Sequence, residues 1–392
     1  MGGGRAGGAT RRLTVVAASD LGPDVLRAAL DGRQPLAVLP DGPAAVVEAA
    51  RAALRPGEPL EPGADLVVVT SGSTGGGRGV LLPASAVRAS ASAALDRLGG
   101  PGSWLLALPV SAIAGLQVLA RGILSGRPVT QLHRDEPLSV AVARMPAGRR
   151  YTSFVPAQLR RFLDTEPDAL RGFDAVLVGG AATDAGLRER AREAGVHVVT
   201  TYGMTETAGG CVYDGFPLDG VRVRVTDGPG GGGTAGPGGG GIALAGPTLA
   251  LGYRLDPAAT EAAFAGGWFH TRDAGTLDDD GRLTVTGRLD DVVISGGVNV
   301  APAAVESALR EHPQVADAVV FGRPDEAWGQ RVVAVVVPAE GTAPGLGDLR
   351  SWVTARLGAP AAPRQLHVLE ALPLLHTGKP DRRAVAALTP ES

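Results

Sequence analysis

Of the 37 basic residues in this 392-residue chain, only Lys379 is a lysine, and Asn299 is the sole asparagine. Glycine (58) and proline (30) are abundant, a bias typical of GC-rich genomes in which arginine displaces lysine wherever a delocalised cation will serve. The lysine that survives, in His376-Thr377-Gly378-Lys379-Pro380-Asp381-Arg382, marks a place where a compact ammonium is needed. A second segment, Thr70-Ser71-Gly72-Ser73-Thr74-Gly75-Gly76-Gly77-Arg78-Gly79, follows the apolar run Leu66-Val67-Val68-Val69. Its glycines allow a tight turn that aims backbone N–H groups at an anion, and its hydroxyls add donors. It lacks the lysine followed by Ser/Thr of a Walker loop. In isolation Tyr202-Gly203-Met204-Thr205-Glu206-Thr207 reads as a loop with a polar rim. Asp273, the Gly287-Arg288-Leu289-Asp290 run and the Gly179-Gly180-Ala181 turn complete the set. The glycine- and hydroxyl-rich segment suits the binding of a phosphate.

Composition narrows the class. Hydrophobic residues make up 44% and charged residues 20%, the profile of a globular protein of two or more domains. The net charge of −3 gives no basic surface for nucleic acid or anionic lipid. No apolar run reaches the roughly 18 residues of a membrane span, and Met1–Gly8 lacks the apolar centre of a signal peptide. One cysteine, Cys211, excludes an internal disulfide and fits a reducing cytoplasm.

Positioning these residues requires alternating strands and helices. Strands are expected at Leu13–Ala17, Leu66–Val69, Trp104–Pro109, Ala175–Val178 and Val196–Thr200. Helices are expected at Pro23–Leu30, Ala44–Leu54, Ala157–Leu163 and Asp184–Ala194. That alternation predicts a mostly parallel sheet covered by helices. After Val221 short strands and turns take over, at Val221–Val225, Gly241–Ala245 and Arg282–Thr286, with a glycine-rich surface loop at Gly228–Gly241. The last ~100 residues predict a separate αβ unit, with helices at Pro302–Glu311 and Gly347–Leu357 and strands at Val315–Gly322 and Arg331–Pro338.

Taken in order, the motifs resemble those of the adenylate-forming superfamily, which includes acyl-CoA synthetases, luciferases and peptide-synthetase adenylation domains. The resemblance covers the chain from about residue 60. It implies an α/β fold with a large N-terminal domain, 1–288, built of parallel flavodoxin-like subdomains, the first shortened, plus a small β-barrel-like part. A small mobile α+β domain, 289–392, would carry the lysine. The implied substrates are ATP with Mg²⁺, and coenzyme A. Thr70, Ser71, Gly72, Ser73, Thr74, Gly75 and Arg78 would hold phosphates, with Gly77 and Arg78 standing where proline and lysine are usual. Gly179, Gly180 and Ala181 would lie along adenine and Tyr202 would stack on it, with Gly203 beside it. Thr205 would contact the α-phosphate, Glu206 would hold Mg²⁺, Asp273 would accept the ribose hydroxyls, and Arg288 would sit near ribose and phosphate. Arg272 replaces the usual glycine before that aspartate. Asp290 would be the hinge, and Gly296 and Gly297 in Ser295-Gly296-Gly297-Val298-Asn299 would face the pantetheine of CoA. Lys379 would bridge the attacking carboxylate and the α-phosphate.

The short first subdomain and two further segments resemble the 2-succinylbenzoate–CoA ligases of menaquinone biosynthesis. These are Ala107 through Arg121 and Thr152-Ser153-Phe154-Val155-Pro156-Ala157-Gln158-Leu159. They imply an acyl pocket including Ala112 (where histidine is usual), Arg121, Val155, Pro156, Gln158 and Thr201. Arg121, Ser71 and Thr201 are candidate donors to the aromatic carboxylate. Cys211 is expected to line a wall rather than act as a nucleophile. Other carboxylic acid–CoA ligases, and adenylation enzymes that load a carrier protein, remain open. So does a nucleotide-binding module without chemistry, although Lys379, Glu206 and Asp273 are all retained. The expected partners are small molecules, with no nucleic acid and no membrane insertion; a homodimer is left open.

Overall fold

The computed structural model describes residues 11–70, 77–226, 239–339, 344–374 and 380–389. Ser71–Gly76 of the phosphate loop, most of the glycine-rich loop and His376–Lys379 lie outside the described residues.

Three sheets occupy the chain as far as Arg288. The first joins Thr14–Ala17, Leu36–Leu39 and Leu66–Thr70 in parallel; Arg78–Leu82 and Gly252–Tyr253 extend it antiparallel. Five strands of the seven-stranded second sheet run parallel: Val198–Met204, Ala175–Val178, Arg150–Phe154, Ser103–Leu106 and Val129–Gln131. The run Ala-Val-Leu-Val at 175–178 is wholly buried, as a strand with helices on both faces must be. The third sheet is antiparallel and built from Arg222–Thr226, Gly240–Ala245, Trp268–Leu277, Phe264–Ala265 and Leu283–Arg288. One apolar cluster runs through all three sheets, joining Leu66 and Leu82 to Trp104 and Leu177 and then to Ile242 and Leu283.

A fourth sheet, centred on Val315–Asp325 and Gly329–Pro338, packs against Pro302–Arg310 and Leu346–Leu357. Two apolar clusters lie wholly within residues 293–385.

One expected strand is longer and shifted. Val196–Thr200 becomes Val198–Met204, so Tyr202 and Gly203 lie inside the strand rather than in a loop after it. Glycine is the cause. Gly203 pairs with Gly210 on the antiparallel neighbour Gly209–Tyr213, and a Cβ at 203 would meet the Gly209 carbonyl oxygen at 2.2 Å. Strand Ser103–Leu106 ends three residues short of Pro109, because the prolyl nitrogen cannot donate to a ladder.

Candidate active site

A cleft of about 1380 Å³ opens between the first three sheets and the C-terminal unit. Most of the candidate residues converge there. Thr70, Arg78, Gly179, Gly180, Gly203, Thr205, Glu206, Asp273, Arg288 and Asp290 all line it, although they come from five strands and the turns between them.

One side of the cleft begins where two strands pair through Thr70 and Arg78, with the Thr70 hydroxyl donating to the Arg78 carbonyl at 3.3 Å. Gly77 packs closely against this pair, since a Cβ would lie 2.7 Å from Val69 Cγ1 and 3.1 Å from the Thr70 carbonyl oxygen. The Arg78 guanidinium stacks over the Tyr253 ring, 4.6 Å from its centroid, and its Nε lies 3.9 Å from Asp256 Oδ2. Tyr253 donates its hydroxyl to Glu206 Oε1 at 3.0 Å. Burial pushes the Glu206 carboxyl above the usual carboxylate range, and the Tyr253 hydrogen bond and the Arg78 charge oppose that rise. Tyr253 and Asp256 were missed in the sequence; their signal was Gly252-Tyr253 leading into the helix-capping Asp256-Pro257.

Among the described residues no group of three or more His, Cys, Asp or Glu could hold a metal unaided. A single hard carboxylate beside Thr205 is instead the donor set for Mg²⁺ that arrives on phosphate oxygens and keeps much of its own shell. The residues fit that ion.

Strands Trp268–Leu277 and Leu283–Arg288 set Asp273 directly opposite Arg288. The Tyr202 hydroxyl donates to Asp273 Oδ2 at 2.8 Å, and Arg288 Nη1 lies 3.7 Å from Oδ1. Burial and that carboxylate push the tyrosine hydroxyl far above its ordinary range, so it stays a donor. Each carboxylate oxygen can accept a further hydrogen bond, which leaves Asp273 able to receive a diol. Arg288 Nε also donates to Asp290 Oδ1 at 2.9 Å, and Arg272 Nη1 approaches Asp290 Oδ2 at 3.4 Å. Burial alone would raise Asp290, yet Arg288 and Arg272 hold it below the usual carboxylate range.

The far end of the cleft is lined by Ala112, Gln117, Arg121, Ser153, Val155, Thr201, Gly210 and Tyr213. Gly179 lets Thr201 close in, since a Cβ there would sit 2.3 Å from Thr201 Oγ1. Arg121 is 3% exposed; its Nη2 donates to the Tyr213 hydroxyl at 3.2 Å and its guanidinium lies 4.9 Å from the centre of the Trp104 ring. Among the described residues no carboxylate lies within 4.0 Å of it, and its Nε has no acceptor. Among the described residues, Ser111 Oγ and Gln117 Oε1, buried in the same wall, also have no partner. Gln117 and Ser153 were passed over in the sequence; a glutamine in the apolar helix Ile113–Ser125 was the available signal.

Other candidates lie elsewhere. Gln158 accepts from the Val155 N–H and donates to the Ala107 carbonyl, and Pro156 starts the helix Pro156–Thr165; neither lines the cleft. Ala181 and Tyr202 are not wall residues, and Tyr202 instead braces Asp273 from behind. Gly296 and Gly297 form the positive-φ turn between Val293–Ser295 and Val298–Val300, away from the cleft, with Gly296 against Trp328. Cys211 is wholly buried behind the wall rather than in it, and burial pushes its thiol up to about 12. The C-terminal unit contributes Pro380, Asp381, Arg382 and Arg383. Ser71, Gly72, Ser73, Thr74, Gly75 and Lys379 lie outside the described residues.

Known proteins resemble this chain along most of its length. The AMP-binding enzyme family profile matches residues 14–254, and that of the AMP-binding enzyme C-terminal domain matches residues 304–379. A probable 2-succinylbenzoate–CoA ligase of Mycobacterium tuberculosis is 48% identical over 344 residues, which cover 85% of this chain and 86% of that protein. The 2-succinylbenzoate–CoA ligase of Geobacillus kaustophilus is 33% identical over 345 residues, 83% of this chain and 69% of that one. Among solved structures, o-succinylbenzoate CoA synthetase of Bacillus subtilis bound to its acyl-adenylate superposes with a TM-score of 0.76 at 27% identity, covering 95% of this chain and 82% of that one. The amide bond synthetase of Marinactinospora thermotolerans matches with a TM-score of 0.76 at 28% identity, over 96% of this chain and 80% of that one. This chain belongs to the AMP-binding enzyme family.

Proposed function

We propose that this chain is a 2-succinylbenzoate–CoA ligase. It joins the succinyl-side carboxylate of 2-succinylbenzoate to the α-phosphorus of ATP, releasing pyrophosphate. The thiol of coenzyme A then attacks the acyl carbon and AMP leaves. The thioester serves menaquinone biosynthesis, and we place the reaction in the cytoplasm, among small-molecule substrates.

In this reading Thr70, Arg78 and Thr205 receive the phosphates, and Asp273, braced by Tyr202, accepts the ribose diol. Ser71–Gly75 and Gly203 complete the nucleotide side, with Gly179 and Gly180 along the base. Mg²⁺, when bound at Glu206, neutralises charge on the phosphate oxygens. Lys379 supplies the compact cation between the attacking oxygen and the α-phosphate, where negative charge crowds in the transition state. Residues 1–288 and 289–392 act as two domains hinged at Asp290, and Gly296 and Gly297 face the thiol substrate in the second step.

The observation that carries the choice of acid is Arg121. A guanidinium this buried without a carboxylate partner is costly. With Thr201 in the same lining, the Ser111 and Gln117 atoms left unpartnered among the described residues make that end of the cleft polar. This fits an acid whose aromatic ring carries a second carboxylate. Ala112, where the histidine is absent, leaves room beside it.

Purified enzyme offered ATP, CoA and a panel of aryl and alkyl acids is expected to turn over 2-succinylbenzoate, and to lose at least tenfold in kcat/KM when its ring carboxylate is absent. Arg121→Met should abolish that difference, because a buried charged hydrogen bond is worth about 1.5–3 kcal/mol. No turnover of 2-succinylbenzoate, with ready turnover of a monocarboxylic acid, would sink the assignment.

A further inference from the structure

Tyr253 touches two groups that the proposed reaction uses and yet has no role in it so far. It lies in Gly252–Tyr253, a two-residue strand paired with Arg78–Leu82, opposite Val80. Its mount is rigid. The next residue, Arg254, is a fully buried guanidinium that donates to the carbonyls of Leu54, Arg55, Glu58 and Pro59 and pairs with Glu61 at 2.7 Å. The Arg254 N–H donates to the Gly79 carbonyl at 2.8 Å, and the Tyr253 N–H donates to Thr260 Oγ1 at 2.9 Å. Phe264 packs edge-on against the ring with centroids 5.8 Å apart. The ring is therefore held by its backbone and by one edge, and what remains to it is a face and a hydroxyl.

Both are engaged on the cleft side. The face carries the Arg78 guanidinium and the hydroxyl donates to Glu206. Asp256, which caps the helix Pro257–Ala263 through Oδ1, turns Oδ2 toward Arg78 Nε. A planar guanidinium stacks on a ring and presents its edge to a carboxylate together, whereas an ammonium is a point charge with no plane to match.

We infer that Tyr253 is a positioning residue that couples Arg78 to Glu206, fixing the cation and the carboxylate on the phosphate side relative to each other. The inference rests on the reading that Arg78 and Glu206 face the triphosphate. It also explains why an arginine works at position 78: the ring and Asp256 form a seat shaped for it.

The test uses the full chain and five variants, with Mg·ATP binding followed by calorimetry in the absence of acid, and pyrophosphate release measured against Mg²⁺ and ATP. Tyr253→Phe keeps the face and loses the hydroxyl. Its Mg²⁺ half-saturation should rise about tenfold, the low end for a hydrogen bond to a charged group, with KM for ATP within about threefold of the parent. Tyr253→Leu should raise both. Arg78→Lys should weaken Mg·ATP binding in the parent, and in the Tyr253→Leu background its further effect should shrink to under twofold. Tyr253→Phe folds as the parent if its thermal midpoint is unchanged, which guards against a collapsed Leu variant. Parent-like Mg²⁺ dependence in Tyr253→Phe, or additive Arg78→Lys and Tyr253→Leu effects, overturns the coupling. If Glu206→Gln and Arg78→Lys both leave Mg·ATP binding unchanged, the triphosphate reading itself fails and takes the coupling with it.

Discussion

A buried side chain in this fold either spends its polarity on the backbone or keeps it for something else, and the two kinds can be told apart residue by residue. Arg254 is saturated by carbonyls and Glu61; Arg121, equally buried, has an idle Nε and faces the cleft. Gln158 uses both ends of its amide on the backbone, whereas Gln117 leaves Oε1 without a partner. Cys211 belongs to the spent group. Burial raises its thiol to about 12, the Thr207 hydroxyl opposes that rise only in part, and the side chain has no exposed surface. The thiolate is the reactive form, so at pH 8 almost none is available. Iodoacetamide should leave the folded chain unmodified over an hour while labelling it fully in 6 M guanidinium, as read by intact mass, and Cys211→Ala should retain full turnover. Rapid labelling of the folded chain would mean that the wall around Cys211 opens.

At the scale of elements, the site depends on the antiparallel pair Val198–Met204 and Gly209–Tyr213, which presents Thr201, Gly203 and Gly210 to the cleft and carries Tyr202 to Asp273. This pair is close because two glycines face each other. Gly203→Ala would place a methyl 2.2 Å from the Gly209 carbonyl oxygen and 2.7 Å from Gly210 Cα, and backbone cannot yield as a flexible side chain can. The strands must separate, moving Tyr202 and Thr205 with them. We expect pyrophosphate release to fall by at least 100-fold and the thermal midpoint to drop by several degrees, in line with about 1–3 kcal/mol for overpacking. A parent-like kcat would show that the strand can shift without cost to the site. The same pair marks the limit of what sequence patterns reveal. Helices such as Pro23–Leu30 and Ala44–Leu54, and the buried strand Ala175–Val178, were legible from apolar period and length. The motif strand was cut short at Thr200 because Tyr-Gly-Met breaks the apolar run, and only the facing glycines of a later segment show that pairing continues. The candidate residues that line the cleft were legible because each carries its chemistry in its type. Tyr253 and Asp256 were not, because their meaning lies in contacts with residues some 50 to 180 positions away.

Across the whole molecule, one cleft has to serve two reactions with opposed needs. The first brings a carboxylate onto a triphosphate and requires a cation between them. The second brings a thiol to an acyl-adenylate, and there the same cation would obstruct the approach. The described arrangement suits the first. Pro380 to Arg383 line the cleft, while the Gly296–Gly297 turn points away against Trp328. The segment flanking Lys379 is anchored within its own unit. Leu374 bridges to Pro380, the Asp381 N–H donates to the Pro373 carbonyl at 2.8 Å, and Arg382 binds the buried Glu306 at 2.5 Å. In the proposed reading, that anchoring would let Lys379 move with residues 289–392 about Asp290. Lys379→Ala should therefore reduce acid-dependent pyrophosphate release by at least 100-fold, the scale of one electrostatic contact to a developing charge. Thioester formation from supplied 2-succinylbenzoyl-AMP and CoA should stay within about threefold of the parent. Lys379→Arg should recover little of the first step, because a broad planar head cannot occupy the place of an ammonium between two oxygens. Equal losses in both half-reactions, or near-normal adenylation by the arginine variant, would remove the case for a lysine that serves one step and is withdrawn for the other.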